Sequence, residues 1–206
     1  MFARPERPRT SGVAGRLMNV QLLRTATRTR SAVGAETIGR LAVRALHAEL
    51  VLTPKPGLVT PVDQGSHRDM DASTFLRSLW SLRHYFTLIA DAGARGAEFH
   101  ALRDLGIAAE TRMLRATAGI NTHRGAIFSL GLLSAACGAA LRAGLPFIPR
   151  ILCEIVRSKW GSEIAASNSP SHSHGAAMRR RFGVGGARME AAFGFPTVLR
   201  VWTHRA

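Results

Sequence analysis

Ala126-Ile-Phe-Ser-Leu-Gly-Leu-Leu-Ser-Ala-Ala-Cys-Gly-Ala-Ala-Leu141 is the longest apolar stretch of this 206-residue chain. Ser129, Gly131, Ser134 and Gly138 interrupt it, and it is shorter than the roughly 20 apolar residues a bilayer span requires. It reads as a helix buried in a protein core, so no membrane association is expected. The flanking sequence keeps a helical period. Ile38, Leu41, Ala42, Ala45, Leu46 and Glu49 recur at spacings of three and four from Thr37 onward. Thr53-Pro-Lys-Pro-Gly57 ends that helix, because proline cannot continue it and restrains its predecessor. After a loop over 58–71, with Asp71 or Ser73 as N-cap, the stripe Phe75, Leu79, Leu82, Phe86 and Ile89 predicts one helix running to Ala92-Gly-Ala-Arg-Gly96.

A further helix is expected from Glu98 to Ala118, with Leu102, Leu105, Ala109 and Met113 inward and Gly119 as its stop. Beyond Gly144-Leu-Pro146, Phe147, Ile151, Leu152, Ile155 and Trp160 mark another, followed by a Ser-, Asn- and His-rich loop over 161–175. No period-two alternation appears. The expected fold is therefore all-α: a single helical-bundle-like domain over 37–198, with a disordered or extraneous basic segment over 1–36 and a tail over 199–206. The closing Val-Leu-Arg-Val-Trp-Thr-His-Arg-Ala shows no clear amphipathic pattern.

The net charge of +15 is concentrated at the ends. Residues 1–45 carry nine Arg and two Glu, residues 177–206 six Arg and one Glu, and only +3 remains for 46–176. A nucleic-acid reader would place its basic stripe and stacking aromatics on a folded face, so no specific nucleic-acid partner is expected. Residues 1–31, rich in Arg, Ser and Thr, have the composition of an organelle transit segment. A disordered arm, or a true start at Met18, is preferred. Arg outnumbers Lys 26 to 2, which makes Lys55 a notable choice of cation. Cys137 and Cys153 form no CxxC and read as buried thiols in a reducing, cytoplasmic setting.

Five segments are candidates to carry chemistry. Lys55 sits in a Pro-Lys-Pro-Gly turn, either as a cation whose stiff setting reduces the entropy cost of clamping a charged substrate or as an ordinary exposed turn lysine. His67, Asp69 and Asp71 alternate behind it: two carboxylates at i and i+2 suit Mg²⁺ with phosphate oxygens, or one serves as a base. Capping of a helix by one Asp, with the other solvated, is the competing reading. Glu110 lies mid-helix beside Ala108, Ala109 and Met113, either partly buried and so raised in pKa, or exposed as a partner for Arg103 or Arg115. Asn121, His123 and Arg124 open the apolar helix, where free N–H groups favour anions. His174 and the glycine loop ending at Arg188 add a weaker phosphate signal.

Taken together, these segments resemble triphosphoribosyl-dephospho-CoA synthase. The resemblance is carried by Glu49-x-x-x-Thr-Pro-Lys-Pro-Gly-Leu-Val59, Gly65-Ser-His-x-Asp-Met-Asp71, Ala109-Glu-x-x-Met-Leu-x-Ala-Thr-x-Gly-x-Asn-Thr-His-x-Gly-Ala-Ile-Phe128, Ser173-His-Gly175, Gly183-Val-Gly-Gly-Ala-Arg188 and Gly194-Phe-Pro196, in order over about residues 37–198. It implies a helical enzyme that joins the ribose C1 of ATP to the 2′-hydroxyl of 3′-dephospho-CoA and releases adenine. The product would be the prosthetic-group precursor of malonate decarboxylase or citrate lyase. Pro61-Val-Asp-x-Gly-Ser-His67 and Leu79-x-x-Leu-Arg-His-Tyr-Phe86 lean toward the malonate branch and a functional link to its holo-acyl-carrier-protein synthase.

On this resemblance Lys55, His67 and Arg124 hold the triphosphate, and Asp69 and Asp71 take Mg²⁺ or base duty. Glu110 faces the ribosyl centre, and Asn121, His123, His174 and Arg188 contact substrate. Arg124 stands where the family often has Lys, the Arg-rich start has no counterpart, and members usually continue past Gly-Phe-Pro with further helices. A truncated, non-catalytic remnant on the same frame is therefore an alternative expectation. A basic polyanion-binding module is a more distant one.

Overall fold

The computed structural model describes residues 34–167 and 186–203, the last two by their backbone alone. The basic segment expected over 1–36 lies almost wholly outside them, as do His174 and most of the glycine loop before Arg188. The described residues form helices and no strand, as expected of an all-α chain: α1 Ala35–Val51, α2 Ala72–Ser81, α3 Tyr85–Ala94, α4 Phe99–Ala116, α5 Arg124–Ala143, α6 Pro149–Ala166, α7 Ala187–Ala192 and α8 Pro196–Thr203.

The apolar helix α5 is the hub, packing on α1, α3, α4, α6 and α7. It is long and apolar enough to cross a membrane, but half of its most apolar window is buried inside the fold, as in a core helix. Its closest partner is α3, and the sequence explains the fit. A Cβ on Gly93 would strike the Ala135 backbone, and one on Gly138 the carbonyl of Ala90, so the two helices meet almost backbone to backbone. Gly131 leaves room for the Tyr85 ring, whose hydroxyl donates to the Ile127 carbonyl at 2.8 Å. Ala135, Ala136, Ala139 and Ala140 fill the rest of the seam. Gly144 ends α5 at φ 67°, a left-handed cap that suits glycine.

Three expectations need correction. The stripe from Phe75 to Ile89 belongs to two helices, because the chain turns at Leu82-Arg83-His84. Ser81 Oγ takes the Ser78 carbonyl at 2.6 Å and Arg83 Nη1 the Trp80 carbonyl at 2.9 Å, side-chain bonds that compete with the helical ladder. The Leu82 side chain is fully buried in the bend, and α3 restarts with Tyr85 facing inward. Second, the loop expected from residue 161 begins only at Ser167. Val156, Trp160 and Ile164 continue the stripe of α6, while Gly161 admits the Ala192 carbonyl of α7. Third, residues 196–203, reaching into the expected unpatterned close, are helical, with Pro196 at the first helical position, where its missing N–H costs nothing. Glu190 Oε1 accepts from the Thr197 N–H at 2.6 Å, a side chain supplying what the first turn lacks.

Candidate active site

The loop between α1 and α2 closes on itself. Gly65 lies so near Gly57 that a Cβ there would sit 2.5 Å from the Gly57 carbonyl carbon, and Ser66 N–H donates to the Gly57 carbonyl at 3.2 Å. This closure fixes the turn that carries Lys55. The ammonium is not a free cation: Nζ donates to Glu49 Oε1 at 2.7 Å, with the Lys55 side chain only 9% exposed and Glu49 half exposed. Glu49, in the last turn of α1, was not among the candidates, although it opens the first family-like motif.

His67 is half-buried and Asp69 exposed. Asp71 is the N-cap of α2: Oδ1 accepts from the Thr74 N–H, the Thr74 hydroxyl and the Ser73 hydroxyl, each at 2.8 Å. Those bonds, the Thr74 N–H first among them, pull its carboxyl down to a pKa of about 2. Asp71 is thus a permanent anion and a poor base at neutral pH. Among the described residues no group of three or more His, Cys, Asp or Glu converges to hold a metal.

The start of α5 separates two environments. His123, 5% exposed, turns inward. Its Nδ1 lies 2.7 Å from Ser78 Oγ of α2, its ring meets Phe75 edge-on at 5.0 Å, and its backbone N–H reaches Met113 Sδ of α4 at 3.3 Å. Thr122 Oγ1 donates to the same Ser78 oxygen at 2.6 Å. Burial lowers the imidazole pKa, and the Glu49 carboxylate acts in the opposite direction. Ser78 and Thr122 were missed because a serine inside an apolar helical stripe gives no signal until its partner is known.

Arg124, the next residue, turns outward. Its guanidinium grips Glu110 Oε1 of α4, Nε at 2.7 Å and Nη2 closer still, with side-chain exposures of 57% and 29%. Glu110 therefore pairs with Arg124, and neither Arg103 nor Arg115 is its partner. Asn121 Oδ1 accepts the Arg124 N–H at 3.2 Å and secures this turn. Glu110, Asn121, Arg124 and Arg188 line the mouth of a cavity of about 490 Å³, whose inner wall includes Tyr85, Ile89, Phe99 and Ile127.

Four of the ten candidates thus share one cavity, while Lys55, His67, Asp69, Asp71 and the inward-turned His123 lie outside its lining and His174 lies outside the described residues. The two groups are tied together structurally. Glu110 and Met113 stand one turn apart on α4, and Met113 holds the residue beside Arg124. Asp71 caps the helix whose Phe75 and Ser78 hold His123, and the Glu49 charge is felt at that ring.

Residues 35–205 match the family model described as CitG, ATP:dephospho-CoA triphosphoribosyl transferase. Two curated relatives carry the name probable 2-(5''-triphosphoribosyl)-3'-dephosphocoenzyme-A synthase. One, from Acinetobacter calcoaceticus, is 42% identical over 163 residues, covering 78% of this chain and 56% of the relative. The other, numbered 1 in Salmonella choleraesuis (strain SC-B67), is 40% identical over 193 residues, covering 88% of this chain and 64% of the relative. The chain therefore spans a little over half of these relatives' length. No solved structure matches. With a family match running through both loops and the start of α5, the chain belongs to the ATP:dephospho-CoA triphosphoribosyl transferase family.

Proposed function

We propose that this chain transfers the 5-triphosphoribosyl group of ATP to the 2′-hydroxyl of 3′-dephospho-CoA and releases adenine. The observation that carries this reading is the family match over residues 35–205, which includes every described candidate side chain. The bond from adenine to the ribose C1 breaks and one from the acceptor oxygen to C1 forms. The hydroxyl proton goes to a base, and adenine leaves with a proton. Oxocarbenium character at C1 favours a nearby carboxylate, as in glycoside chemistry. Glu110, held by Arg124 at the cavity mouth, fits that role. Base duty is assigned to Asp69, because the capping bonds that pull the Asp71 carboxyl down weaken Asp71 as a proton acceptor.

The triphosphate calls for cations. Arg124, Arg188 and Lys55 supply them, each through charge-assisted hydrogen bonds. Lys55 would exchange or share its Glu49 partner for phosphate. Asp69 and Asp71, both hard oxygen donors, suit Mg²⁺, which would neutralise part of the triphosphate charge when bound. The malonate decarboxylase branch, a link to its holo-acyl-carrier-protein synthase and a cytoplasmic setting complete the reading. They rest on the wording of the sequence motifs and on the two free cysteines.

The test is incubation of the full chain with ATP, 3′-dephospho-CoA and Mg²⁺. Adenine would be followed by chromatography and the joined product by mass. Stoichiometric adenine and product support the proposal, with loss in chelator and recovery on Mg²⁺ addition. Adenine formation without the joined product would reduce it to a nucleosidase, and neither product would reject it.

A further inference from the structure

Glycine is a poor helix former, and a helix that keeps one in its interior normally needs the missing side chain. Gly39, Gly93, Gly131, Gly138 and Gly161 meet that expectation, since a Cβ on any of them would come to within 2.6 Å of an atom of another helix. Gly106 does not. It lies in the middle of α4 with no left-handed φ, and a Cβ there would find only ordinary contacts, Tyr85 Oη at 3.7 Å and Ile127 Cγ2 at 3.8 Å. Gly125, in the first turn of α5, would find nothing within 4 Å among the described residues. Packing accounts for neither glycine, and both line the cavity that holds the Glu110–Arg124 pair. What they leave open is space for a ligand.

Leu102, Gly106 and Glu110 follow one another at spacings of four along α4 and so share a face. Leu102 is buried, Glu110 stands at the mouth, and Gly106 lies between them, about 6 Å along the helix from Glu110. The accessible apolar wall includes Ile107, 50% exposed, and the partly exposed Phe128 of α5. The charged lining residues Arg103, Glu110, Arg124 and Arg188 are each at least partly exposed. A polyphosphate passing inward of them would lose water without gaining partners, whereas an uncharged flat ring would gain apolar contact.

We propose that Gly106 and Gly125 hold open a subsite for the adenine ring of a bound nucleotide, walled by Ile107 and Phe128 beside the Glu110–Arg124 pair. Assigning that ring to ATP rests on the transferase reading above. With Glu110 facing the ribose C1, the base bonded to C1 falls one helical turn further in, at Gly106. Dephospho-CoA carries the same base, so the experiment separates the two sources.

The first readout is NMR of the unmodified full chain with ¹³C-methyl-labelled isoleucine, the Ile107 signal being identified by its loss in Ile107→Leu. Adenosine should shift that signal through the ring current of its base. Inorganic tripolyphosphate, which carries charge and no ring, should leave it in place. An Ile107 signal insensitive to adenosine, or moved equally by tripolyphosphate or by pantetheine, overturns the subsite. ATP should produce the adenosine shift at lower concentration than dephospho-CoA, and the opposite order overturns the assignment to ATP.

The second readout fills the space. Gly106→Ala should fold with Tm raised by about 2–4 °C, because alanine is the better helix former. Gly106→Leu should weaken calorimetric binding of adenosine at least about tenfold, the scale of one misfitting methylene in an apolar pocket. Tripolyphosphate binding should not change. A folded Leu variant with unchanged adenosine affinity overturns the proposal. Should that variant fail to fold, Gly106→Ala decides: weakened adenosine binding beside a raised Tm supports the subsite, and unchanged affinity rejects it. Should the unmodified chain release no adenine from ATP and dephospho-CoA, the transferase reading fails, while the adenosine shift still decides the subsite. Turnover without that shift rejects the subsite alone.

Discussion

The two ends of α5 obey different rules. Its stretch from Gly131 to Ala140 sets Gly131, Ala135 and Gly138 against α3, small residues that let the two helices approach until backbone meets backbone. No charged side chain stands in that stretch. Its first turn carries polar groups in opposite settings. His123 is enclosed by Phe75, Ser78 and Met113, and Arg124 reaches out to a partly exposed Glu110. The seam provides rigidity that the first turn uses. A helix that cannot slide against its neighbour holds a buried imidazole to a fixed hydroxyl and a guanidinium at a cavity rim. Stability and chemistry are thus divided along one helix, and substitutions at the two ends should fail in different ways.

The largest effect is expected at the rim. Glu110→Gln keeps size and removes the charge proposed to face the reacting sugar, so adenine release should fall about 10²- to 10⁴-fold, the range for a positioned catalytic side chain. Helical circular dichroism and thermal midpoint should barely change, because an ion pair this exposed contributes about 1 kcal/mol or less. Full activity would remove Glu110 from the site. The seam should show the converse. Gly138→Ala drives a methyl into the Ala90 carbonyl, a backbone atom that cannot rotate aside. Overpacking of this kind costs about 3 kcal/mol, equivalent to a fall in Tm of roughly 6–12 °C for a chain of this size. The surviving folded fraction should retain its turnover per molecule. Unchanged Tm would mean that α3 and α5 are less tightly joined than described.

This division also explains what could be read from the chain. The seam was legible as a buried helix because Ser and Gly interruptions in an apolar run suit close packing and little else. The cation-bearing loop was legible because two prolines and a glycine around Lys55 constrain the backbone locally. The partners were not legible. Glu110 with Arg124, His123 with Ser78, and Trp160 with the Ala97 carbonyl join residues far apart in sequence, and local periodicity contains no term for that distance. The bend at Leu82–His84 escaped for a related reason. An unbroken hydrophobic stripe survives a turn of three residues, so the period continues where the helix does not. The shared cavity of Glu110 and Arg188 likewise required α4 and α7 to be folded together first.

Asp71 gives a smaller, pH-dependent contrast within the site. Its folded pKa of about 2 lies below its ordinary value of 3.8, so ionised Asp71 favours the folded state. That contribution is fully present above about pH 4 and disappears as pH falls toward 2. Asp71→Ala should therefore lower Tm at neutral pH, with the gap closing in acid. Asp71→Asn, which keeps an acceptor for the Thr74 N–H, should lower it less, and that gap too should narrow in acid because the titrating carboxyl is the unmodified protein's. Tm measured from pH 7 to 2 for the three proteins checks this. A constant gap across the range would mean that capping does not control the carboxyl.

The smallest effect belongs to Arg124→Lys. A buried ion pair would be sensitive to this exchange, since Lys loses the planar fork and its paired bonds. At 57% exposure, however, Arg124 has water to replace whatever geometry is lost, and the Lys ammonium still reaches toward the same carboxylate. The positive charge at the start of α5 is kept, and with it the proposed attraction for triphosphate. Adenine release should change by no more than about threefold, and the change should shrink as salt rises toward 1 M, where the Debye length is about 3 Å. Arg124→Ala and Arg124→Lys should then separate clearly at low salt, the first weakening ATP saturation and the second not. A Lys variant as impaired as the Ala variant would show that the paired guanidinium bonds, rather than charge, organise Glu110. The rim of the cavity would then be as geometrically exacting as the buried histidine beside it.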